Sequence, residues 1–287
     1  MVEPLCIPAR GDGYALSAGL VLPRGQPRAA ALIAGAMAVR ASFYAPFARY
    51  LAEQGAAALT IDYRGIGGSR PQGSLRGFHA TFHDWGERDL GGALDWLQHR
   101  FPSVPLAWVG HSAGAQLMGL VPEPRVEAAL FVASGTAYWK SYRGLGRAVM
   151  ASLWYAMVPV ALAIAGRLPL QLLRQGDDVP AGVAREWSRW GRDPRYVYSY
   201  AEPRGGLGYT RYDGPLLALS IADDTYAPPT AFAHLLSLYT RARKEERVLR
   251  PGAQPIGHFG FFRRSDLWEE PVRWLLARVS SSTVRWF

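Results

Sequence analysis

The stretch Trp-Val-Gly-His-Ser-Ala-Gly at residues 108–114 predicts a buried strand that ends in a Gly-x-Ser-x-Gly turn. An apolar run precedes the turn, and helix-forming residues follow it. This order places Ser112 on a tight elbow, where Gly110 and Gly114 let backbone segments pack closely. Ser112 is therefore a candidate nucleophile. The alternative is a simple strand-to-helix turn in which the Ser112 hydroxyl caps the helix.

A serine hydroxyl is a weak nucleophile at neutral pH, so Ser112 requires a base, and the base requires an orienting carboxylate. His258 is the candidate base, because it lies in the run Ile-Gly-His-Phe-Gly after the last predicted strand. The candidate acid follows the apolar strand at residues 215–221, where Asp223 and Asp224 are adjacent. We favour Asp224, which stands four residues before a proline that begins the next predicted helix. Asp223 is the alternative and would otherwise stabilise the turn.

Stabilising the charge that develops on a carbonyl oxygen requires hydrogen-bond donors, usually two backbone N–H groups. Ala113, the residue after the candidate nucleophile, is the first. The second is expected in the loop of residues 35–39, which follows the predicted strand at residues 29–34. In this loop we favour Ala36, with Met37 as the alternative.

The composition is that of a globular protein with a large core, since 49% of the 287 residues are hydrophobic and 19% are charged. The formal charge of +9 comes mainly from dispersed arginines, and without a recognisable nucleic-acid motif we expect no nucleic-acid partner. The single cysteine, Cys6, excludes an internal disulfide, and no His/Cys spacing predicts a metal site. We expect neither metal nor cofactor. The first residues lack the pattern of a signal peptide, which favours a cytoplasmic location.

Strand and helix patterns alternate along residues 1–136 and again along residues 213–287, which predicts an α/β core with a mostly parallel sheet covered on both faces. Residues 137–212 are rich in Trp and Tyr and lack a clear strand pattern. We interpret them as a mostly helical cap inserted over Ser112, which would exclude water and line the substrate pocket. The predicted strands cover residues 14–22, 29–34, 56–61, 105–110, 127–133, 215–221 and 246–250, and the predicted helices cover residues 43–54, 84–100, 228–241 and 265–279.

Within this cap, residues 148–166 form a stretch without charge that is close to the shortest length able to span a bilayer. Pro159 interrupts the stretch, and arginines at 147 and 167 flank it. We favour a pair of cap helices that shields an apolar pocket over a membrane span, while peripheral contact with a membrane surface stays open. Residues 140–211 hold eleven basic and five acidic side chains, which is compatible with the attraction of anionic substrates.

Several segments spread over nearly the whole chain carry a family resemblance. They are Gly-Ala-Met at 35–37, Phe-Tyr-Ala-Pro-Phe-Ala at 43–48, Thr-Ile-Asp-Tyr-Arg-Gly-Ile-Gly-Gly-Ser at 60–69, Gly-His-Ser-Ala-Gly at 110–114, Leu-Pro at 168–169, Glu-Trp-Ser-Arg-Trp at 186–190 and Gly-His-Phe-Gly-Phe-Phe at 257–262. In these segments the chain resembles α/β-hydrolases of the serine aminopeptidase-like and lysophospholipase-like groups. The resemblance implies the α/β-hydrolase fold with an inserted cap, and a triad in the order Ser112, Asp224, His258. It does not imply a particular substrate.

We therefore predict a serine hydrolase that cleaves a carboxylic ester or a thioester of a small molecule with an apolar part, through an acyl-enzyme on Ser112. The alternatives are an amidase or aminopeptidase, a non-catalytic binding protein that retains the fold, and lyase or transferase chemistry on the same scaffold. His111 is expected to be a structural neighbour of the elbow rather than a base. The sequence makes no prediction of the oligomeric state.

Overall fold

A computed structural model describes residues 1–172 and 176–280. Within these residues the strands are β1 (Glu3–Pro8), β2 (Ala15–Val21), β3 (Ala29–Ala34), β4 (Ala56–Ile61), β5 (Leu106–His111), β6 (Ala128–Val132), β7 (Arg167–Leu168), β8 (Val179–Pro180), β9 (Pro215–Ile221) and β10 (Arg243–Leu249). One sheet has the order β1-β2-β4-β3-β5-β6-β9-β10, and β7 pairs with β8 apart from it. In the large sheet β2 is antiparallel to β1 and β4, and the other neighbouring strands are parallel.

The described α-helices lie between these strands or follow the last one. They are α1 (Ala45–Glu53), α2 (Phe82–Asp84), α3 (Gly91–Arg100), α4 (Ala113–Met118), α5 (Gly144–Ser152), α6 (Val158–Ala165), α7 (Ala181–Arg192), α8 (Tyr198–Ala201), α9 (Leu207–Arg211), α10 (Pro229–Leu238), α11 (Gly257–Gly260) and α12 (Glu269–Ser280). Two π-helical turns, Trp85–Leu90 and Leu153–Met157, join α2 to α3 and α5 to α6. This architecture confirms the predicted α/β class with a mostly parallel sheet and helices on both faces.

The central strands are apolar along their whole length because helices cover both faces of the sheet. In β5, Leu106 and Trp108 pack with α3 and α4 on one face, and Ala107 and Val109 pack with α1 and α12 on the other. All four side chains are buried. Core side chains therefore cover β5 on both faces. The carboxyl end of β5, where the chain turns into α4, lies near the middle of the row of strand ends.

The predicted strands are all present, and their ends differ from the predictions by three residues at most. In contrast, β1 was not predicted, because Pro4 and Pro8 interrupt its pattern. It lies at the edge of the sheet and pairs with β2. A proline lacks the N–H that a second partner strand would need, so it is tolerated at an edge and excluded from the centre.

Residues 137–212, here called the insertion, lie between β6 and β9 and contain α5 to α9. They also contain β7 and β8, which the sequence did not predict. The apolar stretch differs more: instead of a helix pair separated at Pro159, the structure has one helix, Gly144–Ala165. A π turn directly precedes Pro159, and its wider winding accommodates a residue that has no N–H to donate. Only 11% of the most apolar stretch of this helix is buried, so most of the helix surface is exposed.

Candidate active site

Ser112 connects β5 to α4 with φ 51° and ψ −114°. A positive φ is rare for a residue that has a Cβ, and here it turns the side chain sharply out of the strand. Hydrogen bonds hold this backbone conformation: the Ser112 N–H donates to the Val132 carbonyl at 3.1 Å, and the Ser134 hydroxyl donates to the Ser112 carbonyl at 2.7 Å. The Ser112 hydroxyl makes no capping hydrogen bond to α4, so the capping alternative does not describe this turn.

Close backbone approach explains the two glycines of the motif. A Cβ on Gly114 would lie 1.9 Å from the carbonyl oxygen of Ala34, at the end of β3. A Cβ on Gly110 would lie 2.7 Å from the backbone nitrogen of Ala115. Both distances are far below van der Waals contact. The glycines therefore allow the elbow to be tight and allow the loop after β3 to lie directly beside it.

Asp224 and His258 meet at the same edge of the sheet. Asp224 follows β9, and His258 lies in α11, after β10. Asp224 Oδ2 is 2.8 Å from His258 Nδ1, and the two side chains are 0% and 6% exposed. Asp224 Oδ1 accepts hydrogen bonds from the N–H groups of Tyr226 at 2.8 Å and Ala227 at 3.1 Å. The carboxylate is thus held from both sides, and the bond at Nδ1 leaves His258 Nε2 facing away from Asp224.

Asp223 has a different set of partners. Its Oδ2 accepts the Ile256 N–H at 2.9 Å, and its Oδ1 accepts the Gly257 N–H at 3.1 Å. Asp223 therefore holds the backbone immediately before His258, whereas Asp224 holds the imidazole itself. Of the two aspartates that the sequence left as alternatives, the structure brings Asp224 into contact with the histidine side chain.

The structure corrects the first choice for the second N–H donor. The Ala36 N–H donates to the hydroxyl oxygen of Tyr44 at 2.7 Å, inside the core, so it does not face a substrate. Met37, the alternative, is half-buried, and its N–H has no acceptor within residues 1–172 and 176–280. Ala113 is the first residue of α4, where an N–H has no acceptor inside the helix. Of these three residues, Ala113 and Met37 therefore have an N–H group that is not already bonded within the protein.

A buried pair, Tyr44 and His111, joins the three loops that carry the candidate catalytic groups. His111 Nε2 lies 2.9 Å from the backbone oxygen of His258, and because a carbonyl oxygen only accepts, Nε2 carries a proton. Burial, followed by the electrostatic effect of the nearby His258 imidazole, holds the pKa of His111 well below its usual value, so the His111 ring is neutral. Its Nδ1 is then an acceptor, and the Tyr44 hydroxyl, 2.8 Å away, donates to it. The same hydroxyl oxygen accepts the Ala36 N–H.

Removing this hydroxyl with Tyr44→Phe is expected to lower the free energy of unfolding by about 2–4 kcal/mol, because the buried Ala36 N–H and His111 Nδ1 each lose their partner. Urea denaturation measures the change. Tyr50→Phe in α1 is the matched control, since the half-buried Tyr50 packs on Trp268, and its change should stay within about 0.5 kcal/mol. Equal stability of the two variants would contradict the structural role of the pair.

The sequence placed His111 correctly as a neighbour of the elbow but assigned no role to Tyr44. The only signal was that residues 43–48 belong to the segments that carry the family resemblance. Among the described residues, no group of three or more His, Cys, Asp or Glu side chains is arranged to hold a metal ion.

A profile of the family described as "Serine aminopeptidase, S33" matches residues 25–201, which is more than half of the chain. A search of curated proteins found no match. Among solved structures, the chain is similar to a soluble variant of monoglyceride lipase from Saccharomyces cerevisiae, with a TM-score of 0.72, 13% identity and coverage of 97% of this chain and 95% of that one.

A highly thermostable carboxyl esterase from Bacillus coagulans is also similar, with a TM-score of 0.66, 12% identity and 98% coverage of both chains. A lipase in its open form gives a TM-score of 0.67 at 14% identity, covering 99% of this chain and 100% of that one. At such identities the likeness establishes the fold alone. Together with the profile match, it shows that the chain belongs to the serine aminopeptidase family S33 and has the α/β-hydrolase fold.

Proposed function

We propose that the protein is a serine hydrolase that cleaves a carboxylic ester or a thioester through an acyl-enzyme on Ser112. The observation that carries this proposal is the 2.8 Å hydrogen bond between Asp224 and His258, and the elbow conformation of Ser112 supports it. The His258 backbone is in turn bonded to His111, the residue before Ser112. Membership of a hydrolase family supports the same chemistry.

In this mechanism the Ser112 hydroxyl attacks the substrate carbonyl while His258 Nε2 accepts its proton. Asp224 stabilises the imidazolium that forms and keeps its Nδ1 pointed inward. The tetrahedral intermediate then collapses: the ester C–O or thioester C–S bond breaks, the leaving oxygen or sulfur takes the proton from Nε2, and the acyl group stays on Ser112. A water molecule, deprotonated by the same nitrogen, releases the acid and restores the serine.

The oxyanion of each tetrahedral intermediate requires donors that point at it before the reaction begins. We assign this role to the N–H groups of Ala113 and Met37, since the Ala36 N–H is bound to Tyr44. The Ala36–Tyr44–His111 chain of hydrogen bonds then has a positioning role. It fixes the positions of the Met37 loop and the His258 backbone relative to the Ser112 elbow.

Ester cleavage is favoured over aminopeptidase activity by the carboxylates at the site. An aminopeptidase needs a carboxylate that binds the free ammonium group of its substrate. The two aspartates beside His258 already have partners on both oxygens, Asp224 with the imidazole and two N–H groups, and Asp223 with two N–H groups. Among the charged side chains of the insertion, eleven are basic and five are acidic, which also disfavours an ammonium substrate.

A fluorophosphonate probe tests the proposal directly, because it reacts covalently with an activated serine. The folded protein is expected to be labelled at Ser112, and the urea-unfolded protein is expected not to react. Ser237→Ala, which removes an exposed hydroxyl of α10, is the control and should be labelled like the wild type. Absence of labelling at Ser112 in folded protein overturns the proposal, and faster turnover of an amino-acyl anilide than of the matched ester would favour the aminopeptidase.

A further inference from the structure

An apolar helix lies exposed on the insertion. The helix Gly144–Ala165 has a mean hydropathy of 1.9 over its most apolar window, and only 11% of that window is buried. Several large apolar side chains of this helix are at least half exposed: Leu145, Val149, Met157, Val160 and Ile164. Soluble proteins rarely leave such a contiguous apolar surface uncovered unless another surface binds it.

The helix is packed on one side, which determines how it could meet a bilayer. Trp154 and Val158 are fully buried against the rest of the protein. The Trp154 indole N–H donates to the Ala137 carbonyl at 2.8 Å, and the Ser188 hydroxyl of α7 donates to the Trp154 carbonyl at 3.0 Å. A spanning helix would expose its whole circumference to lipid. One free face and one packed face correspond instead to a helix lying in the plane of an interface.

The charged side chains on this helix and beside it in sequence are all basic. The sequence has no acidic residue between Glu127 and Asp177. Basic side chains surround the apolar face, and we call them the basic rim: Lys140, Arg143 and Arg147 near the start of the helix, Arg76 at its end, and Arg185 and Arg192 in the cleft between α6 and α7. In the described part of the chain, none of these six forms an ion pair with a carboxylate. The rim is therefore available to a negatively charged partner.

We propose that the helix Gly144–Ala165 docks the protein on a bilayer surface that contains anionic phospholipid. The apolar face would enter the boundary between headgroups and acyl chains, and the basic rim would lie at the level of the phosphates. A second copy of the chain fits less well. In a twofold dimer the same patch meets itself, so two basic rims would face each other across the apolar contact.

The docked face is connected to the candidate active site. The Tyr142 hydroxyl, two residues before the helix, donates to the Tyr226 carbonyl at 2.8 Å. Tyr226 lies on the Asp224 turn, and its ring centroid is 5.1 Å from that of His258. Docking would therefore place this edge of the site near the lipid surface. If the proposed function holds, acyl esters dissolved in the bilayer are then the substrate class closest to Ser112.

Co-sedimentation of the full chain with vesicles, without substrate, tests the docking. We expect binding to phosphatidylcholine vesicles that contain about 30 mol% phosphatidylglycerol to be at least about tenfold tighter than binding to phosphatidylcholine alone, and to weaken with salt. Val149→Asp combined with Ile164→Asp should weaken binding by about tenfold or more. Lys140→Gln combined with Arg143→Gln should remove most of the preference for anionic vesicles, because each basic side chain near the surface contributes about fivefold to the affinity.

Leu22→Asp, which places a charge on an exposed apolar residue outside the insertion, is the matched control and should bind like the wild type. Circular dichroism verifies that each variant is folded. The docking proposal is overturned if the folded wild type binds neither vesicle, or if the aspartate variant binds as well as the control. A wild-type dimer that the aspartate variant loses in sedimentation velocity would assign the face to a second copy. Since binding is measured without turnover, failure of the hydrolase proposal would leave this result unchanged.

Discussion

Ser112→Ala is expected to lower kcat on a p-nitrophenyl ester by about 10⁴- to 10⁶-fold, since no covalent intermediate can form without the Ser112 hydroxyl. The residual rate would come from binding and from the N–H groups of Ala113 and Met37. The substitution removes only the hydroxyl oxygen and retains the Cβ. The backbone hydrogen bonds of the elbow are therefore kept, and the free energy of unfolding should change little.

Initial rates and urea denaturation of the same preparations separate catalysis from folding. Ser237→Ala is again the matched control and should keep wild-type kcat. If Ser112→Ala retained a tenth of the activity or more, Ser112 would not be the nucleophile. The alternative of a non-catalytic binding protein would gain support if the wild type itself neither hydrolysed esters nor reacted with the fluorophosphonate.

Asp224→Asn is expected to lower kcat by about 10⁴-fold. The substitution keeps the size of the side chain but removes the charge that stabilises the His258 imidazolium. It also replaces one acceptor oxygen by an NH2 group, which favours the wrong tautomer of the ring. The protein should remain folded, because an asparagine oxygen can still accept the N–H groups of Tyr226 and Ala227. Steady-state kinetics on the same ester measures the effect.

Asp223→Asn is the discriminating comparison, since it makes the same chemical change one residue away. Its remaining oxygen can accept only one of the Ile256 and Gly257 N–H groups well, so the loop that carries His258 is loosened. We expect a loss of about tenfold in kcat, on the scale of one weakened hydrogen bond. The assignment would be reversed if Asp223→Asn abolished activity and Asp224→Asn did not.

Local sequence patterns were sufficient for the sheet and for the elbow. The strands at residues 29–34, 56–61 and 215–221 were predicted with their observed bounds, because a strand covered on both faces is a continuous apolar run. Gly-x-Ser-x-Gly was recognisable because the backbone at its two glycines leaves no room for a Cβ, so no other residue fits there. The edge strand β1, with its two prolines, lacks such a pattern and was missed.

Other features depend on partners that are remote in sequence. The side chains of Asp223 and Asp224 are chemically identical. They differ in the folded protein because α11 places the imidazole against Asp224 and the N–H groups of the preceding loop against Asp223. Likewise, Ala36 and Met37 both offer a backbone N–H. The Ala36 N–H is bonded to the Tyr44 hydroxyl, and the sequence of residues 35–39 does not predict this hydrogen bond.

The sequence by itself determined the central strands of the sheet, the position of Ser112 on its turn and the candidate histidine, because these follow from burial periodicity and from steric limits within a few residues. The tertiary structure alone decided which aspartate meets His258, which N–H is free, and that most of the helix Gly144–Ala165 is exposed. The physical reason is that hydropathy measures the tendency of a segment to leave water, whereas the residues packed around the segment determine whether its apolar side chains are buried within the protein.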